Sequence, residues 1–126
     1  SEAFRTGRAA IAAGVTADVP AQVGIIQEEV RRMVAGMAIH YLNSTKQKVA
    51  DGEAQNKVNH YMSEAWAVIY GVQFCANPDM DSQTVNGLLA QIDAGFEGFT
   101  QSTQSINATI DLIAAASGLE AFKNDL

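Results

Sequence analysis

The sequence predicts an all-α fold, an up-and-down antiparallel bundle of four to five helices. Its apolar residues recur at intervals of three and four rather than alternating, which is the helical period. Only two prolines occur among 126 residues, and the connections between the helical segments are short, as between antiparallel neighbours. With 48% apolar and 17% charged residues the chain is globular. Its length predicts one domain over residues 1–126, either complete or one unit of a longer protein.

The first half of the chain predicts three helices. The first covers residues 2–13 and ends at Gly14. The second begins at Pro20, where Asp18 can cap it, and continues to about Ala50. Its apolar residues form one stripe: Ile26, Val30, Met33, Val34, Met37 and Tyr41. After a break at Asp51-Gly52, a third helix is predicted from Glu53 to Phe74. Its apolar positions are Val58, Met62, Ala65, Trp66, Ile69 and Tyr70, and Gln73 continues the same spacing.

The second half predicts a loop, two further helices and a short tail. The loop is CANPDMD, residues 75–81, and Asp81 or Ser82 begins the fourth helix. That helix carries Val85, Leu88, Leu89, Ile92 and Phe96. The fifth helix is predicted over Thr100 to Ala116 through Ile106, Ile110 and Ile113, with Gly118 just beyond its end. The tail LEAFKNDL either packs through Leu119 and Phe122 or frays.

Charge and motif content exclude several classes of function. The net charge is −6 and the basic residues form no stripe, so nucleic-acid binding is not expected. No apolar run has the length of a transmembrane segment. The single cysteine, Cys75, cannot form an internal disulfide. There is no glycine-rich phosphate loop and no nucleophile with an adjacent base, so we predict no catalytic residue, no cofactor-binding residue and no enzymatic activity.

Three residues are candidate metal ligands: His60, Glu64 and His40. His60 and Glu64 are four residues apart, so on a helix both side chains can reach one ion. If the second and third helices turn back at Asp51-Gly52, His40 lies level with them, and two imidazoles with a carboxylate suit iron or another divalent or trivalent metal. The alternative is a solvated surface pair, because His60 lies on the back of its helix and His40 at the edge of an apolar stripe. No Glu-x-x-His motif occurs, so diiron chemistry is not expected.

Residues 22–71 resemble the core of a known family. The matching pieces are His40-Tyr41-Leu42-Asn43-Ser44, Asp51-Gly52 and the segment from His60 to Gly71. They resemble the algal Fe-assimilating family of secreted proteins, which high carbon dioxide also induces. The resemblance implies a helical protein with a secreted, extracellular or periplasmic location and a part in iron assimilation. Of the candidate ligands, only His60 and Glu64 map onto the shared segment.

Two functional hypotheses follow from these observations. The first is a non-enzymatic secreted or surface protein that takes part in metal acquisition, with iron or a surface protein as its partner. The second is a structural or interaction subunit of an assembly that binds no ligand. Small residues on the helix faces and the Met33–Met37 pair favour the second hypothesis, since they suit packing against another helix or subunit. It is also compatible with an oligomer.

Overall fold

The computed structural model describes residues 1–126 and contains six α-helices, a 3₁₀ turn and no strand. The helices are α1 (Glu2–Ala12), α2 (Val19–Ala50), α3 (Gln55–Val72), α4 (Ser82–Asp93), α5 (Phe96–Gln101) and α6 (Thr103–Ser117). The predicted all-α helical bundle is confirmed. At 32 residues, or about 48 Å, α2 is the longest element. It packs against α1, α3, α5 and α6, so the other helices are arranged along it.

The predicted helix ends are set by local backbone chemistry. Gly52 and Gly118 have φ near +68°, a conformation in which an ordinary residue is strained, and each follows the end of a helix. At the start of α4, the Asp81 carboxylate accepts a hydrogen bond from the backbone N–H of Thr84 at 2.8 Å. Asp81 is therefore the N-cap, as predicted.

The predicted fifth helix corresponds to α6, and the structure adds a short helix, α5, before it. α5 contains Phe96, which was predicted on the fourth helix, and Thr100, the predicted start of the fifth. The break lies at Ser102, whose backbone is extended and whose hydroxyl accepts from the backbone N–H of Ser105 at 3.2 Å. Ser102 thus caps α6, while the preceding residues form the six-residue α5. A serine within an otherwise helical pattern can either continue a helix or cap a new one. The periodicity of Ile106, Ile110 and Ile113 does not distinguish these cases.

One core joins the longer helices α2, α3, α4 and α6. The apolar positions predicted for α4 and α6 are buried except Phe96, which is half-buried and lies in α5, and Val58, Met62, Ala65 and Ile69 of α3 are buried too. Met80, in the loop before α4, is also buried. That loop is held to α2 by Arg31, whose Nε lies 3.2 Å from the Asp79 carboxylate. The core therefore occupies the C-terminal part of α2, and the helix that packs against its N-terminal part is α1.

Most of the apolar stripe predicted on α2 does not face this core. Of its six residues only Val34 and Tyr41, both half-buried, pack against it. The buried residues of the helix are Ala35, Ala38, Ile39, Leu42 and Thr45. They are centred roughly 125° around the helix from the predicted stripe, at about 100° per residue. Val30 and Met37 are each 43% exposed and Met33 is 57% exposed. The helix has two apolar faces, and the bundle packs on the one that contains alanine.

The C-terminal tail folds back onto α2. The side-chain amide of Asn43 donates to the backbone carbonyls of Lys123 at 2.7 Å and Leu126 at 3.1 Å. Leu119 is half-buried against the core, whereas Phe122 is exposed. Of the two alternatives left open by the sequence, the tail packs, and it does so through Leu119 and not Phe122.

Candidate functional site

His60 and Glu64 form a pair on the outer surface of α3. The Nε2 atom of His60 lies 3.8 Å from Oε1 of Glu64, and their side chains are 68% and 43% exposed. This separation is longer than that of a charge-assisted hydrogen bond, which is about 2.7–2.9 Å. Neither side chain has another polar partner within the chain. The pair therefore offers one imidazole nitrogen and one carboxylate to solvent.

His40 does not join this pair. Its side chain is exposed on α2, and its ring lies edge-on to that of the adjacent Tyr41, with the ring centroids 5.6 Å apart. No group of three or more His, Cys, Asp or Glu side chains in the chain is arranged to hold a metal ion. The predicted three-residue centre is thus corrected to two residues. The reason is the rotation of α2 and α3 about their own axes, which places each histidine on the face of its helix that points away from the shared core.

An exposed apolar surface follows the N-terminal half of α2. It consists of Val23, Ile26, Val30, Met33 and Met37, which we call the outer seam. These positions are separated by three, four, three and four residues, the spacing at which a helix presents apolar side chains to a partner helix. All but the half-buried Ile26 are exposed. The sequence pattern locates the seam correctly, but it does not show that the chain leaves it uncovered.

A groove between α1 and α2 extends the outer seam towards the N-terminus. It has a volume of about 240 Å³ and an almost entirely apolar surface. The α2 side is Val19, Gln22, Val23 and Ile26; the α1 side includes Phe4 and Ile11, both more than half exposed. Buried Ala3 and Gly7 hold α1 against α2, so Phe4 and Ile11 stand at the open side of the groove. A third helix could lie along it.

Two arginines border this groove. Arg8 lines it, and Arg5 lines the adjoining depression together with Phe4 and Arg8. Both arginines lack a hydrogen-bond or ion-pair partner. The other six basic side chains each have one, in the pairs Arg31–Asp79, Arg32–Glu28, Lys46–Asn107, Lys48–Glu53, Lys57–Glu53 and Lys123–Asp111. The positive charge that the chain itself does not neutralise is therefore concentrated beside the apolar groove.

The largest cavity has different chemistry. It has a volume of about 550 Å³, lies between α4 and α6, and is lined by Leu88, Gln91, Phe99, Gln104, Ser105, Ala108, Thr109 and Leu112. None of these side chains is a carboxylate, imidazole or amine. The cavity therefore supplies no acid–base group and no charged metal ligand.

Three aromatic rings form a row at the C-terminal end of α3, with Trp66 and Tyr70 on the helix and Phe74 in the turn after it. Trp66 stacks on Tyr70 with centroids 5.7 Å apart, and Tyr70 meets Phe74 edge-on at 5.1 Å. The Trp66 indole N–H donates to the Asp93 carboxylate at 3.0 Å, which ties α3 to the end of α4. These contacts are typical of i, i+4 aromatic pairs that stabilise a helix.

A family model described as "Domain of unknown function (DUF4856)" matches residues 1–120. No curated protein and no solved structure matches the chain. None of the helices combines the length and the apolar character needed to cross a membrane.

Proposed function

We propose that this chain, which belongs to the DUF4856 family, is an interaction subunit that binds a helix of another chain on its outer seam. The observation that carries the proposal is the exposure of Val30, Met33 and Met37 in a regular three–four repeat. Single exposed apolar residues are common on protein surfaces, but an exposed row with helical spacing marks an interaction site.

Covering the outer seam would contribute enough free energy to help bind a partner helix. Complete burial of a valine or methionine side chain contributes about 1.5–3 kcal/mol relative to full exposure. Val30, Met33 and Met37 are each about half exposed, so covering all three offers roughly 3 kcal/mol. The groove residues Phe4 and Ile11 add to this term. A partner helix of four or five turns could therefore bind without any change in the bundle core.

The partner is inferred to be helical because of the shape of the surface. The seam from Val23 to Met37 is about 21 Å long, or four helical turns. Its side chains are arranged to receive apolar residues at i, i+3, i+4 and i+7 of a second helix. A peptide bound as a β-strand would need a sheet edge to pair with, and the structure has no strand.

A neutral helical peptide tests this proposal. The probe is a fluorescent peptide of about 18 residues, with leucine at its core positions and glutamine on its flanks, titrated with the full chain by fluorescence anisotropy. We expect saturable binding. The double variant Met33→Ser/Met37→Ser should weaken binding at least about 10-fold, since each methionine offers roughly 1 kcal/mol.

The matched control removes two exposed aromatic side chains away from the seam. Tyr70→Ser/Phe74→Ser acts on α3 and on the turn that follows it, and should leave peptide affinity unchanged. Light scattering of the wild-type chain completes the test. Self-association that Met33→Ser/Met37→Ser abolishes would also support an interaction subunit. A wild-type chain that is monomeric and does not bind the peptide would refute the proposal.

A second candidate function is metal acquisition through His60 and Glu64. It is supported by their 3.8 Å approach and by the absence of any other partner for either side chain. The resemblance to the Fe-assimilating family points to iron and to a secreted or surface location. Two ligands leave most of a metal's coordination positions to water or to a ligand from a partner. Affinity for the metal alone is therefore expected to be weak.

Calorimetric titration with Fe²⁺ and Zn²⁺ tests this second candidate. We expect heat of binding from the wild-type chain that is lost in His60→Ala and in Glu64→Ala. His40→Ala is the matched control, because it removes the other exposed histidine at a distance from the pair. Identical isotherms for all four proteins would remove the site.

A further inference from the structure

We infer that the helix bound on the outer seam carries acidic residues on the flank that faces α1, so that the partner is an acidic amphipathic helix. This inference rests on the proposed interaction function and adds the chemical class of the partner. The charges beside the groove support it.

The charge distribution singles out this groove. Residues 1–27 carry two basic and two acidic side chains, so the whole net charge of −6 belongs to the remainder of the chain. Within that remainder every basic side chain has a polar partner. Arg5 and Arg8 have none, and they stand beside Phe4 at the open side of the groove. A helix placed against Phe4 and Ile11 therefore meets two guanidinium groups next to its apolar contact.

Arginine suits this position for a physical reason. Its guanidinium group presents several donors in a planar arrangement that matches a carboxylate, and its stem can cover apolar surface. Charges at the rim of an interface contribute mainly to partner choice and association rate. The apolar seam would accept many amphipathic helices, and the two arginines would select among them by excluding helices with basic flanks.

Because the chain is acidic, a preference for an acidic peptide would not be expected from its net charge. With a net charge of −6 the protein as a whole repels acidic peptides, so a preference for one requires a local cause. At physiological ionic strength the screening length is about 8 Å, and distant carboxylates contribute little. Beside Phe4 and Ile11 the flank of the bound helix therefore faces the charges of Arg5 and Arg8, whereas Glu29, exposed on α2 one residue before Val30, carries the opposite charge further along the seam.

Three peptides test the inference with the full-length chain. All share the same leucine core and differ only in flanking residues, which are glutamate, glutamine or lysine. We expect the wild-type chain to bind the glutamate peptide about 10-fold more tightly than the lysine peptide, with the glutamine peptide between them. This preference should decrease with added salt, a measurement that needs no variant.

A charge-reversal variant identifies the residues responsible. Arg5→Glu/Arg8→Glu should reverse the order of the glutamate and lysine peptides. Lys46→Glu/Lys57→Glu makes the same change in net charge away from the groove and should preserve the wild-type order. Circular dichroism of both variants checks that helicity is retained.

The outcomes separate this inference from the proposed function. Binding of all three peptides with equal affinity, or a wild-type preference for the lysine peptide, would overturn the acidic partner and leave the interaction function standing. Absence of binding by every peptide would overturn both. A wild-type dimer that Arg5→Glu/Arg8→Glu dissociates would also overturn the inference, because the occupant would then be a second copy of the chain.

Discussion

Two methionine-to-alanine substitutions test which face of α2 packs in the core. Met33 on α2 is 57% exposed, whereas Met62 on α3 is fully buried. Both lie inside long helices, so the difference in helix propensity between methionine and alanine is the same at the two sites. What differs is the apolar surface that each side chain removes from water.

The expected magnitudes follow from that difference in burial. Met62→Ala leaves a cavity in the core and should lower the free energy of unfolding by about 2–5 kcal/mol. Met33 buries less than half of its side chain, so Met33→Ala should cost less than about 1 kcal/mol. Urea unfolding followed by circular dichroism at 222 nm measures both values.

One result would refute this assignment of the buried and exposed faces of α2. If Met33→Ala destabilised the monomer by as much as Met62→Ala, the outer seam would be part of the core and unavailable to a partner. The measurement should be made at a protein concentration where light scattering shows a monomer. Otherwise the loss of a subunit contact would be read as a loss of core packing.

Three further predictions concern the helix ends and the tail. Gly118→Ala should destabilise the chain by about 1 kcal/mol because φ is +68°, whereas Gly87→Ala, inside α4 and in open space, should stabilise it by about 0.5–1 kcal/mol in the same urea assay. The Thr84 backbone N–H lowers the pKa of Asp81 below its ordinary value of 3.8. The contribution of this cap to the free energy of unfolding is thus complete above that pH and is lost as the pH falls through the native pKa. The difference in free energy of unfolding between the wild-type chain and Asp81→Ala, measured across pH 2–6, should show this loss. A difference that stays constant with pH would contradict it. Asn43→Ala should increase amide hydrogen exchange across residues 119–126, while Asn56→Ala, an exposed asparagine near the start of α3, should not.

The long helices and their ends were predictable because strong local signals determine them. Asp51-Gly52, Asp81 and Gly118 each leave few alternatives to the backbone, and the observed helices end or begin there. The break at Ser102 was not predictable. Serine can either cap a helix or lie within one, and only the packing of α5 decides which.

The arrangement of the three candidate ligands was predictable in part. The spacing of His60 and Glu64 places them together on any helix, and the structure shows them 3.8 Å apart. The position of His40 depended on the rotation of α2 about its own axis. The turn at Asp51-Gly52 determines how high His40 lies along the helical hairpin, but it does not determine which way the His40 side chain points around the α2 axis. No pattern within α2 alone could therefore place His40 near the pair.

The rotation of α2 about its axis also explains why the stripe predicted to face the core is largely exposed, and that exposed stripe is the basis of the proposed function. A helix with one apolar stripe has only one way to face a core, and periodicity then predicts the buried face. α2 has two faces, one with Ala35, Ala38 and Leu42 and one with Val30, Met33 and Met37. Small side chains let α3 and α6 approach closely, so the bundle closes on the alanine face and leaves the larger residues outside. A helix that satisfies its own bundle with one face and keeps a second regular apolar face suits the contact with a helix of another chain that we propose.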